Sequence, residues 1–161
     1  MQIEMTIKGL IVDPITSMPI VVLHDEEGQC TLPIWVGVFE ANAIALQIEN
    51  VSASRPMTHD LLRNVIRDLK GSVEKVVISD VQDKTFYALI YLRVNEELTA
   101  IDARPSDAIA LALRVRAPIF VEEKVIDNAK TIDFSPDQVD SDRLTSWLKS
   151  LDAEDLGKYK M

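Results

Sequence analysis

The feature that most constrains the fold is a tetrapeptide that occurs twice. Ala43-Ile44-Ala45-Leu46 returns as Ala108-Ile109-Ala110-Leu111, preceded by Asn42 in one place and Asp107 in the other. Each copy stands after three stretches with strand-like alternation. A repeated order of strand, strand, strand, helix suggests an internal duplication. The fold class it implies is α+β: a duplicated β-β-β-α unit, with mostly antiparallel sheets packed on two buried Ala-rich helices.

The alternation carries this reading. Ile3, Met5 and Ile7 face one way, and Gln2, Glu4, Thr6 and Lys8 face the other. The phase changes at Gly9, as at a β-bulge. Pro19 to His24 is a β-branched strand, and Asp25-Glu26-Glu27-Gly28 turns it into a third, which runs from Cys30 to Val36. Pro33 places that third strand at an edge or beside a bulge. Three further strands are expected over 73–80, 85–93 and 98–103, with a short one at Ile119-Phe120-Val121.

Helices are expected between them. Over 38–50 the apolar residues surround most of the circumference, as in a buried helix. From Thr58, a potential N-cap, Leu61, Leu62, Val65, Ile66 and Leu69 make one stripe, with Arg63, Asn64, Arg67 and Asp68 on the wet face and Gly71 as the stop. The third helix starts at Pro105-Ser106, with Ser106 as the expected cap, and Pro118 ends it. After residue 134 the character changes. We place the domain over 1–134 and an extension over 135–161, where Leu144, Trp147, Leu148 and Leu151 are spaced as on an amphipathic helix.

Charge and cysteine usage narrow the function classes. The net charge is −9, and most of it lies before the extension. An acidic surface opposes strong sequence-independent binding to nucleic acid, though a local basic patch can still serve it. The lone Cys30 cannot form an internal disulfide and reads as a small core residue. The N-terminus shows no signal-peptide pattern, and a cytoplasmic location is expected. Phosphate-cradling glycine loops, zinc spacings and a nucleophile elbow are absent from the sequence.

Three stretches carry a family resemblance. They are Leu32-Pro33-Ile34-Trp35-Val36-Gly37, then Arg55-Pro56-Met57-Thr58-His59-Asp60-Leu61-Leu62, and then Ile101-Asp102-Ala103-Arg104-Pro105-Ser106-Asp107-Ala108. In this order the chain resembles the bifunctional nuclease family over roughly residues 3–130. That resemblance implies phosphodiester hydrolysis on RNA and DNA.

Such hydrolysis needs an activated water, charge neutralisation at the phosphate and help for the leaving oxygen. The candidate catalytic residues are Asp102, Asp107, His59 and Glu40. Arg55, Arg104, Ser106 and Asp60 are the candidate substrate-binding residues. Asp102 and Asp107 are candidate ligands for Mg²⁺ or Mn²⁺. His suits proton transfer near neutral pH and Arg suits phosphate. The same residues also fit a structural account, with Ser106 as a cap, Asp107 facing a helix dipole and Asp102 paired to Arg104. Trp35, Tyr87 and Tyr91 offer either base stacking or strand packing. RNA or DNA is the expected partner, and a homodimer would cover exposed strand edges. The competing function is a non-catalytic regulatory or interaction module that binds a small ligand or a protein.

Overall fold

A computed structural model describes residues 1–129. The 135–161 extension, with its expected helix around Trp147, lies outside the described residues. Seven strands and four helices follow one another: β1 (Gln2–Val12), β2 (Pro19–Asp25), β3 (Thr31–Trp35), α1 (Val38–Ile48), α2 (Thr58–Asp68), β4 (Ser72–Gln82), β5 (Thr85–Val94), β6 (Glu97–Ala103), α3 (Pro105–Val115), β7 (Ile119–Glu122) and α4 (Glu123–Ala129).

All seven strands join one sheet in the order β3-β2-β1-β7-β4-β5-β6. The expectation of several mostly antiparallel sheets is corrected to a single mixed one. Two antiparallel meanders, β1-β2-β3 and β4-β5-β6, are joined by β7. That strand runs antiparallel to β1 and parallel to β4. The ladder between β1 and β2 shifts register between Ile7 and Gly9, where the sequence changes phase. β3 is an edge strand, which accommodates Pro33. Both later hairpins turn on two consecutive residues of positive φ, Asp83-Lys84 and Asn95-Glu96, as tight type I′ turns require.

α1 and α3 pack on each other and cover one face of the sheet, α1 against β2 and α3 against β4 and β5. Ala41, Ile44, Ala45, Ala108, Ile109 and Leu111 share one core cluster with Val21, Leu23, Val76 and Ile78. Small side chains permit this close approach of two helices and a sheet. The halves diverge after these helices, since α1 leads into α2 while α3 leads into β7 and α4. A duplication of the whole unit thus stays an expectation of the sequence.

Several local expectations are corrected. α1 is not buried all round, because Phe39 is 86% exposed and Val38 and Ile48 are also open to solvent. α2 faces the opposite way from the usual amphipathic helix. It packs on α3 and buries His59, while Leu61, Leu62, Val65 and Leu69 point outward. Its N-cap is Met57 rather than Thr58. α3 is capped by Arg104 without a side-chain hydrogen bond, Pro105 takes its first turn, and Ser106 lies inside the helix. Cys30 is half-buried at the margin of the core. Among the described residues, no helix is long and apolar enough to cross a membrane.

Candidate active site at three helix starts

The polar residues gather where three helices begin. Glu40 lies in the first turn of α1, His59 in that of α2 and Asp107 in that of α3. Arg104, the N-cap of α3, ties them together. Its Nε donates to Asp107 Oδ2 at 2.7 Å, and one terminal nitrogen donates to Glu40 Oε1 at 2.8 Å. His59 Nε2 stands 2.9 Å from Asp107 Oδ1. The result is a continuous array, His59–Asp107–Arg104–Glu40. Arg104 is its solvent end, with a side chain 65% exposed. A Cβ at Gly37, just before α1, would meet the Glu40 carboxylate and make that side chain shift from its present position.

Electrostatics holds the array in its charged form. Burial disfavours the Asp107 carboxylate, yet hydrogen bonds from Arg104 and His59, helped by their charges, outweigh it and keep its pKa below the ordinary value. The Arg104 pKa is raised, first by its hydrogen bond to Asp107 and then by that residue's charge and by Glu40. An ionised carboxylate only accepts, so His59 Nε2 carries the proton in this pair.

A cavity of about 290 Å³ adjoins Arg104. Trp35, Phe86 and Lys84 line it together with Arg104 and Ser106. Trp35 is fixed by its indole N–H, which donates to Asp13 Oδ2 at 3.0 Å. Lys84 belongs to the β4–β5 turn and has φ +66°. The cavity therefore offers two cations and two aromatic rings. Ser106 is buried at its wall and is not spent on capping α3.

Three sequence candidates stand elsewhere. Asp102 is exposed on the edge strand β6, opposite Leu89, and among the described residues its side chain has no hydrogen bond or ion pair. Its expected pairing with Arg104 is corrected, because Arg104 is engaged by Asp107 and Glu40. Asp60 points away from its neighbour His59 and pairs with Arg114, whose Nε lies 2.7 Å from Asp60 Oδ1. Asp60 also accepts the Met57 amide, and these bonds together outweigh burial to lower its pKa. Arg55 lines a second cavity beside Asp60. Tyr87 and Tyr91 stand on β5 and do not line the cavity beside Arg104.

Sequence reasoning missed Arg114. Its side chain is only 2% exposed, and its terminal nitrogens donate to the carbonyls of Ala110 and Ala43. A charge within Leu113-Arg114-Val115, on a helix otherwise apolar after its first turn, was the available signal. Lys84 was hidden for a different reason, since a turn residue gives no hint of what it will face.

The donor set does not fit a divalent cation. Both oxygens of Asp107 are taken by Arg104 and His59, and Asp102 does not join them. Among the described residues, no three His, Cys, Asp or Glu side chains are grouped to hold a metal.

Comparison with known proteins gives the family of the chain. The model of the bifunctional nuclease domain matches residues 21–133, a span that contains the whole array. The chain belongs to the bifunctional nuclease domain family. It is 41% identical over 143 residues to an uncharacterized protein of Mycobacterium tuberculosis, covering 89% of this chain and 84% of that one. It is 32% identical over 111 residues to bifunctional nuclease 2 of Oryza sativa subsp. japonica, covering 66% of this chain and 34% of the rice protein. Bifunctional nuclease 2 of Arabidopsis thaliana is 28% identical over 122 residues, covering 68% of this chain and 37% of the plant protein. The chain thus spans only about a third of the length of these plant relatives.

Proposed function

We propose that this protein hydrolyses phosphodiester bonds of RNA and DNA at the cavity beside Arg104. The observation that carries the proposal is the convergence of His59, Asp107, Arg104 and Glu40 at three helix starts, within the region matched by the nuclease domain. Arg104 and Lys84 would meet the phosphate, and Trp35 and Phe86 would flank the neighbouring bases. Among the described residues, one terminal nitrogen of Arg104 has no hydrogen-bond partner. His59 does not line that cavity, and through its contact with Asp107 it would hold the Asp107–Arg104 pair in place. Glu40 and Asp107 would position Arg104. No step is assigned to a metal, because the carboxylates are already committed.

The test is cleavage of single-stranded RNA and DNA by the ion-exchange-purified chain, with Mg²⁺, with Mn²⁺ and with chelator. Activity should co-elute with the folded protein. His59→Ala and Asp107→Ala, by releasing Arg104 from its place, should each lower it by about 10²-fold. Asp102→Ala reports whether the carboxylate on β6 takes part. Activity that separates from the protein peak, or folded His59→Ala protein that cleaves like wild type, would refute the proposal.

One observation favours a non-catalytic binding module. Every charged group of the array is paired with another member, as in a latch that holds three helix starts together. On that reading Arg104→Ala loses stability and no purified variant differs in cleavage.

A further inference from the structure

A second cavity lies on the other side of the α2 start. The chain from Val51 to Met57 connects α1 to α2 and closes over a space of about 340 Å³. Arg55, Arg63 and Arg114 line it against a single carboxylate, Asp60. That is a local charge of +2 in a chain of net charge −9. The imbalance is not resolved within the described residues. Arg114 and Asp60 neutralise each other at 2.7 Å. Among the described residues, the Arg63 side chain hydrogen-bonds only to the uncharged Asn64 amide oxygen, at 3.1 and 3.2 Å, and the Arg55 side chain has no hydrogen bond or ion pair. Arg63 feels the Asp60 charge through space, but among the described residues neither it nor Arg55 is hydrogen-bonded to a carboxylate, and both face one cavity. Leu46 and Val51 form an apolar part of its wall.

We propose that this cavity binds a nucleoside monophosphate group, with Arg55 and Arg63 on the phosphate and the Leu46–Val51 wall against the nucleoside. Planar guanidinium groups match a phosphate monoester in geometry and charge. A volume of this order suits a small organic ligand. Arg114 contributes to the field while its own hydrogen bonds fix the wall, since it links α3 to α1 through the Ala43 carbonyl and to α2 through Asp60. The site is separate from the His59–Asp107 array and requires no hydrolysis. The phosphate monoester can come from a free mononucleotide or from the phosphorylated end of an oligonucleotide.

Isothermal titration of the full chain, with phosphorothioate linkages in the oligonucleotide probe so that binding is read apart from cleavage, tests this. The probes are adenosine 5′-monophosphate, adenosine, inorganic phosphate and a 5′-phosphorylated tetranucleotide. The monophosphate or the phosphorylated tetranucleotide should bind at least about tenfold more tightly than adenosine and than inorganic phosphate, and the tighter of the two identifies the source. Arg55→Ala, on an exposed loop, and Arg63→Gln should each weaken binding by about tenfold or more, and His59→Ala should leave it unchanged. No binding by either phosphorylated probe at millimolar concentration overturns the proposal. So does binding that Arg55→Ala does not weaken, or inorganic phosphate binding as tightly as the nucleotide.

Discussion

His59 and Asp60 are neighbours in sequence with divergent duties. About a hundred degrees of helical rotation sends one to Asp107 and the other to Arg114. The pH dependence of the Asp107 pairing follows from its lowered pKa. A carboxyl whose folded pKa is depressed adds stability above its unfolded value, near 3.9, and loses it as pH falls through the folded value. Asp107→Asn should therefore be less stable than wild type at pH 7, with the difference shrinking below about pH 4. Urea unfolding of both proteins at several pH values checks this, and a difference that does not vary with pH would reject charge pairing. Arg114→Met should cost about 3 kcal/mol, because it strands the Asp60 charge and removes two side-chain hydrogen bonds to the carbonyls of Ala110 and Ala43. The urea midpoint reads that loss. The sequence offered Glu40, His59, Arg104 and Asp107 as candidates from residue type and from their places at helix starts. It could not say which carboxylate Arg104 would choose, because that depends on how α1 and α3 cross.

At the scale of elements, α2 is the instructive case. Its stripe of Leu61, Leu62, Val65 and Leu69 is plain in the sequence, but periodicity fixes only that an apolar face exists. Which way the face turns is set by the contacts of the opposite side, here His59 and Asp60 with the side chains of α3. Leu69 is 71% exposed, so Leu69→Ser should alter stability by no more than about 0.5 kcal/mol. Ile109→Ala, at the fully buried contact of α3 with the core, should cost about 2–5 kcal/mol. Thermal or urea unfolding of the pair distinguishes this orientation from a buried stripe, which would make both changes costly. The strands were more legible, because alternation also reports which face is covered. The bulge at Gly9 and the edge position of Pro33 both follow from local backbone chemistry.

At the scale of the molecule, the sheet depends on its shortest strand. β7 has four residues and pairs on both edges, with Ile3 opposite Val121 and Val77 opposite Phe120. Pairing between strands so far apart in the chain leaves no local trace in the sequence, which is why a single sheet was not foreseen. Phe120→Pro should remove a ladder donor from this doubly paired strand and cost about 3 kcal/mol or more. Native-state hydrogen exchange should then show the β1 and β4 amides losing protection together. Retained protection in both would mean that the meanders hold each other without β7.

The position of that strand also orders events in time. A chain made from its N-terminus completes both meanders and α3 before Ile119 exists. Until β7 arrives, the facing edges of β1 and β4 have no partner, and they are open to pairing with other chains. Closure of the sheet is thus a late, long-range event. It makes the half-made protein, more than the finished one, the species most exposed to aggregation.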